Sequence, residues 1–414
     1  MKRRGTVAAI DIGSSKVTVI VAEVGPRGDV QIIGTGVAPA QGLARGVVDH
    51  IEQARESVAT AVEKAEQACG MRVLSATIGI AGTHIACQNN RGIVAVANPK
   101  RIVSGDDRAR VLEAAGNIAV PSSRQVLHVL PRGYWIDGSD PVSDPVGMHG
   151  ARLDAETHII TGAVSAIQNL VKVVEGAGVH VEDIVVEPVA AAECVLTDEE
   201  RHQGVAVIDI GDATTSIAVF DEGTITHVAC LPLGGYHLTQ DLTHVLRCPW
   251  EAAEEAKIRH GAAFALPEDD GHDVQVPTFG ASGRRAVPLR YLREILQARV
   301  DEILETVEIE LKRAGYLDRL AAGVVLTGGT ALLPGLAQFA EVRLGIPARI
   351  GNPSGYLGLS DLIGTPAYAT SIGLAEHALR GSERPVELTH AGMEMPAGGV
   401  LRRILAIGRA LMPQ

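Results

Sequence analysis

Residues 6–20 read Thr-Val-Ala-Ala-Ile-Asp11-Ile-Gly13-Ser14-Ser15-Lys16-Val-Thr-Val-Ile, and residues 205–220 read Val-Ala-Val-Ile-Asp209-Ile-Gly211-Asp212-Ala213-Thr214-Thr215-Ser216-Ile-Ala-Val-Phe. Each copy is an apolar β-branched run, then Asp-x-Gly, then hydroxyl residues, then a second β-branched run, which spells a strand, a tight turn and a returning strand. One such turn is as readily a plain hairpin. Two copies so far apart point instead to two similar α/β domains facing each other. A turn of Gly with Ser or Thr lets backbone N–H groups approach phosphate oxygens, because Gly has no Cβ in the way. Gly13, Ser14, Ser15 and Lys16 in the first loop, and Gly211, Asp212, Ala213, Thr214 and Thr215 in the second, are therefore the expected phosphate contacts. Lys16 would neutralise a terminal phosphate. Asp11 and Asp209, at matching strand ends, suit a Mg²⁺ ion held through its waters.

The 414 residues allow two to four packed units at roughly 100–200 residues each. Hydrophobic residues at 46% and charged residues at 21% are ordinary globular proportions, so disorder is excluded. A net charge of −12 argues against nucleic acid, since backbone binders need a basic face. An aromatic content of 3% argues against stacking platforms for bases or sugars. Cys69, Cys87, Cys194, Cys230 and Cys248 are scattered without metal-ligand spacing, which fits a reducing cytosol. Asp11 interrupts any signal-peptide run, and no window of about 18 apolar residues is present. Any membrane contact is expected to be peripheral.

Helical patterns are expected at 106–118, 165–176, 189–196, 250–261 and 290–313. Glu254 and Lys257 share one face of the fourth, either as a solvated ion pair or as a ribose contact. A strand at 323–326 leads into Thr327-Gly328-Gly329-Thr330, a turn that is either a plain connection or a surface open to the flat face of a base. His128 and His158 flank apolar runs and read as structural. Residues 84–162, rich in Gly, Pro and Asp clusters, read as an inserted α+β unit, and 381–397 has linker composition. In 398–414, Val400, Ile404, Ile407 and Leu411 align on one helical face with Leu401, Leu405 and Met412 beside them, while Arg402, Arg403 and Arg409 lie opposite. That segment is either a last core helix or a basic amphipathic anchor.

The motifs DIGSSKV, VIDIGDATTSIAVF and VVLTGGTALLPGL, in this order, resemble the two phosphate motifs and the adenosine motif of the actin/Hsp70/sugar-kinase superfamily. Nearly the whole chain is similar to the FtsA family of bacterial cell-division proteins. That likeness rests on Arg124-Gln-Val-Leu-His128-Val-Leu-Pro131, Asp144-Pro-Val-Gly147-Met148, His158-Ile-Ile-Thr-Gly162, Leu233-Gly234-Gly235 with Thr239 and Asp241, and Ala253-Glu254 with Lys257 and Gly261.

The resemblance implies an α/β, actin-like (ribonuclease-H-like) two-domain ATPase fold with an inserted α+β subdomain, 1C. The implied division is 1A at 5–83 with 163–202 and about 365–381, 1C at 84–162, 2A at 203–231 and 302–364, and 2B at 232–301. A linker at 382–397 and a membrane-targeting helix at 398–414 complete it. It implies ATP and Mg²⁺ in the interdomain gap, with Gly234, Gly235, Glu254, Lys257, Gly328, Gly329 and Thr330 added to the nucleotide contacts. The implied partners are the C-terminal tail of FtsZ at 2B, the chain itself as a polymer, later divisome proteins at 1C, and anionic lipid on the cytoplasmic face of the inner membrane at the septum. Arg284 and Arg285, read as a loop pair, are the candidate contacts for the acidic FtsZ tail.

The second loop departs from the family's common Gly-Gly-Gly-Thr followed by Asp, having Gly211-Asp212-Ala213-Thr214-Thr215-Ser216 instead. The segment Glu187-Pro-Val-Ala-Ala-Ala-Glu193 shows no obvious neutral group to orient an attacking water, so slow ATP turnover at most is expected. A small-molecule kinase of the same superfamily would need a carboxylate that accepts a hydroxyl proton, and neither Asp137 nor Asp144 lies in such a motif. An actin-like pilus-assembly scaffold shares 1C, but the basic terminal segment favours the division reading.

Overall fold

A computed structural model describes residues 5–25, 30–44, 46–279, 283–358 and 363–382. Both hairpins form. Thr6–Ile12 pairs antiparallel with Lys16–Val24, and Val205–Ile210 pairs antiparallel with Thr215–Asp221. On its other side each leading strand has a parallel neighbour, Ser75–Ile80 in the first case and Val324–Thr327 in the second. The first sheet runs, in spatial order, His180–Val186, Ser75–Ile80, Thr6–Ile12, Lys16–Val24, Val30–Pro39 and Leu357–Gly358. The second runs Thr224–Leu231, Thr215–Asp221, Val205–Ile210, Val324–Thr327 and Ala348–Ile350. Matching pairings around two similar sequences give two domains of one plan.

Helix Glu187–Val195 joins the halves. Every residue from Pro188 to Val195 is buried, because the helix packs against strands of both sheets. A helix buried on all sides is stable only in such a place, and the one charged residue within that run, Glu193, is paired with Arg380. Helix Ala369–Ser382 packs on it at very close range: a Cβ on Gly373 would lie 1.8 Å from the Ala190 carbonyl oxygen. Gly373→Ala is therefore expected to lose about 3 kcal/mol of stability through overpacking. The gain in helix propensity, about 1 kcal/mol, is too small to offset it. Urea unfolding of the single variant checks this.

Helix Ile51–Cys69 has no counterpart among the expected elements. It covers strand Val30–Pro39 with Ala54, Val58, Ala61, Val62 and Ala65, and a stripe made mostly of alanine gives a weak periodic signal.

Between the domains of the plan, Ala86–Ala95, Arg152–Ala163 and Arg124–Ile136 form a separate antiparallel sheet in that spatial order, covered by helix Gly105–Gly116. A reciprocal cap starts that helix. Asp107 N–H donates to Ser104 Oγ at 3.2 Å, and Ser104 N–H donates to Asp107 Oδ2 at 2.9 Å.

His128 and His158 are fully buried on neighbouring strands, as structural histidines should be. The Val186 N–H donates to His128 Nε2 at 3.1 Å, and His158 Nδ1 lies 2.7 Å from Asn89 Oδ1. Burial lowers both imidazoles to about 3, helped at His128 by His377 and at His158 by His227. An unfolded chain would take up these protons near pH 6.5 while the native one refuses them, so stability is full above pH 6.5 and falls towards pH 3. Each histidine is expected to remove about 2 kcal/mol between pH 7 and pH 5. Urea midpoints at the two pH values test this, and His128→Gln should flatten the dependence.

In the second half, helices Gly235–Leu246 and Trp250–His260 precede the hairpin Asp273–Pro277 with Arg284–Pro288. Arg284 and Arg285 thus begin a strand, exposed, and do not lie in a loop. Leu289–Arg313 is one unbroken helix, so the expected 2B–2A boundary at 301/302 falls inside it. Leu357–Gly358, expected in 2A, instead pairs in parallel with Gln31 and Ile32 at the edge of the first sheet. Hydrogen bonding to a distant strand decided that placement, which no local pattern carries. The helix Ala369–Ser382 includes the first residue of the expected linker. The rest of the linker and the segment 398–414 lie outside the described residues. Among the described helices, none is long and apolar enough to cross a membrane.

Candidate functional site

A cleft of about 390 Å³ opens between the two hairpin turns, within the ~300–1,000 Å³ typical of small-molecule sites. Asp11, Asp209 and Glu187 form its acidic end, joined by Lys16. Asp11 Oδ2 accepts a hydrogen bond from Ser371 Oγ at 2.7 Å, and Asp209 Oδ2 accepts one from Thr370 Oγ1 at 2.7 Å. Lys16 Nζ sits 3.4 Å from the centre of the Tyr368 ring, a cation–π contact.

Burial raises the Asp11 carboxyl, opposed by the Ser371 hydrogen bond and by Lys16. Burial likewise pushes Asp209 up to about 6, opposed by Thr370 and reinforced by Asp11. Glu187 is pushed well above the usual carboxylate range, first by burial and then by the two aspartates. Burial lowers Lys16. Asp11 and Asp209, when ionised beside one lysine, leave an excess of negative charge that a cation relieves. Among the described residues no group of three His, Cys, Asp or Glu side chains is arranged to hold an ion. The pair Asp11 and Asp209 fits Mg²⁺, which takes one or two carboxylates and completes its shell with water and phosphate.

The residues of the two hairpin turns are placed unequally. Gly13, Ser14, Ser15, Gly211, Asp212 and Thr214 line the cleft. Gly211 is fixed on both sides: its N–H donates to Thr214 O at 2.9 Å, and its carbonyl accepts from Gly235 N–H at 2.9 Å and from Thr330 Oγ1 at 3.0 Å. Burial raises the Asp212 carboxyl, with Lys257 opposing. Three expected contacts do not hold. Thr215 is fully buried and its hydroxyl donates to Leu233 O at 2.8 Å, so it serves the strand. Ala213 does not line the cleft, and Gly234 lies behind the loop, where a Cβ would come 2.5 Å from Asp212 O.

At the other end, Glu254 and Lys257 prove to be a built network. Lys257 Nζ lies 2.8 Å from Glu254 Oε2 and donates to Thr239 Oγ1 at 2.8 Å, and the Thr239 hydroxyl also donates to Glu254. Thr239 is fully buried, so the solvated-pair reading gives way. A Cβ on Gly329 would meet nothing within 4 Å, whereas Gly328 closes tightly on Asp209. Ile258 and Leu332 line this end while 71% and 55% exposed. Two large apolar side chains uncovered beside an open glycine suit a flat apolar ring.

Sequence reasoning missed four contributors: Glu187, Tyr368, Thr370 and Ser371. Glu187 lies in the connecting segment and lines the cleft, and burial, then Asp11 and Asp209, push its carboxyl well above the usual carboxylate range. Nothing local marks Pro366-Ala-Tyr-Ala-Thr-Ser371 beyond a helix start with hydroxyls.

Twin hairpins, a shared cleft and an inserted sheet define an actin-like two-domain protein. Comparison with solved structures agrees on the fold: the PilM–PilN type IV pilus biogenesis complex matches with a TM-score of 0.63 at 17% identity, covering 91% of this chain and 99% of that one. MreB5 of Spiroplasma citri bound to ADP matches with a TM-score of 0.55 at 14% identity, covering 91% and 96%. The model of the family "Cell division protein FtsA" matches residues 206–373, that of the "SHS2 domain inserted in FTSA" matches 82–161, and that of the "Ethanolamine utilisation protein EutA" matches 157–254. The cell-division protein FtsA of Pseudomonas aeruginosa is 40% identical over 96% of both chains. That of Bacillus subtilis is 35% identical over 96% of this chain and 88% of its own, and that of Escherichia coli K12 is 35% identical over 90% of each. The chain belongs to the FtsA family of cell-division proteins.

Proposed function

We propose that the chain is an ATP-binding, actin-like division scaffold that tethers FtsZ filaments to the cytoplasmic face of the inner membrane, assembles with itself and recruits later divisome proteins. The observation that carries the nucleotide part is the cleft itself, with two carboxylates and a lysine at one end and an open apolar surface at the other. ATP would lie with its phosphates against Gly13, Ser14, Ser15, Gly211, Asp212 and Thr214, its ribose near Glu254 and Lys257, and its base against Gly329. Mg²⁺ would be held through water by Asp11 and Asp209, where it would neutralise phosphate charge. Glu187, which lines the cleft, would be the group to orient water, and turnover is expected to be slow.

The proposed division keeps 1A, 1C, 2A and 2B near the expected boundaries, except that 2A and 2B would share the long helix Leu289–Arg313 and 357–358 would belong to 1A. FtsZ's C-terminal tail is assigned to 2B, where exposed Arg284 and Arg285 offer positive charge. Later divisome proteins are assigned to 1C, and anionic lipid to the basic amphipathic segment 398–414. Co-sedimentation tests the whole reading. With anionic-lipid liposomes, FtsZ should pellet only when the full chain is present, and Mg-ATP should change the amount. If the full chain ignores both liposomes and FtsZ, the scaffold reading is lost.

A further inference from the structure

Three charged groups at the acidic end of the cleft are held by one short stretch that belongs to neither hairpin. Ser371 Oγ donates to Asp11, Thr370 Oγ1 donates to Asp209, and the Tyr368 ring carries Lys16. The stretch is itself pinned to the opposite domain. Thr327 Oγ1 and Gly328 N–H both donate to the Pro366 carbonyl, at 3.1 and 3.0 Å. Ser371 is fully buried and Thr370 is 7% exposed, so water does not compete for either bond. Both hydroxyls lie in the first turn of Ala369–Ser382, whose close packing on Glu187–Val195 fixes their position.

We propose that Thr370 and Ser371 are positioning residues for a magnesium-bound nucleotide, each holding one aspartate in a single orientation and leaving its second oxygen for the ion's water shell. The inference rests on the ATP reading above. A carboxylate has two oxygens and a nearly two-fold terminal torsion, so an unheld one samples many orientations. A hydroxyl bonded to one oxygen selects among them before the ion arrives. Groups of this kind, one bond removed from a metal, commonly change its affinity by about 10–100-fold. At Asp209, Oδ2 is engaged by Thr370 while Oδ1 lies close beside Gly328, and both residues line the cleft.

The test is calorimetric titration of the full chain with ATP, once in excess Mg²⁺ and once in EDTA. Thr370→Val keeps the volume and removes the hydroxyl, and Ser371→Ala does the same at the other aspartate. Each is expected to weaken binding about tenfold in Mg²⁺ while leaving the EDTA affinity as in the parent. Thr370→Ser and Ser371→Thr, which restore a hydroxyl, should recover most of the loss. Equal weakening in both buffers would assign the residues to packing and overturn the proposal, as would unchanged affinity in Mg²⁺. Melting temperatures without ligand identify a variant that has lost its fold, and Ser371→Ala, the smaller change, then decides alone. A parent chain that binds ATP in neither buffer overturns the nucleotide reading itself, and this inference with it.

Discussion

A chain ending at Ala397 leaves FtsZ in the supernatant when anionic liposomes are pelleted, while the full chain brings it down. The expectation comes from the pattern of 398–414, where Val400, Ile404, Ile407 and Leu411 share a face with Leu401, Leu405 and Met412, opposite three arginines and no acid. Inserting five or six of these side chains, at roughly 1.5–3 kcal/mol each, would contribute about 8–18 kcal/mol as an upper estimate. Ordering and immobilising the helix removes much of this, so one copy binds weakly and reversibly. Many copies along a polymer convert weak anchors into firm attachment by avidity. The same logic predicts that Ile404→Glu in the full chain, which puts a charge in the centre of the apolar face, reproduces the truncation. Retained pelleting by the truncated chain would place the membrane contact elsewhere.

Gly328→Ala loses Mg-ATP binding and several kcal/mol of stability, whereas Gly329→Ala folds like the parent. The two glycines are adjacent and look alike in sequence, but their surroundings differ. Gly328 has φ of +88°, and a Cβ there would lie 2.3 Å from Asp209 Oδ1 and 2.5 Å from Ile210 O. An L side chain pays about 1–3 kcal/mol for that backbone conformation, and the clash adds about 1–3 kcal/mol more. Relief requires moving the turn or turning Asp209, and either displaces the carboxylate from the ion's place. Gly329 faces open cleft, so its methyl would touch only a ligand. Gly329→Ala should therefore weaken nucleotide binding modestly and leave the urea midpoint where it is. Equal midpoints for both variants would contradict the placement of Gly328.

Both hairpins were legible because turn chemistry and β-branched runs are local signals, and their repetition made the two-domain plan legible as well. The two hairpin turns were readable for the same reason, yet Thr214 and Thr215 were not separable. One lines the cleft and its neighbour is fully buried, because successive residues entering a strand point to opposite faces. The alanine stripe of Ile51–Cys69 was silent, since small apolar residues give little contrast between helix faces.

Sequence alone determined the duplicated strand-turn-strand units, the acidic pair at their ends and the inserted unit. Tertiary structure alone decided what holds the acidic pair. Thr370 is 161 residues from Asp209, and Ser371 is 360 residues from Asp11, so neither bond leaves a trace in any local window. It also decided that Glu187 lines the cleft with its carboxyl pushed upward, because that shift comes from burial and from the aspartates that folding brings beside it. Periodicity and turn preference act over a few residues of chain, whereas a site is made where distant segments converge, and packing sets where that is.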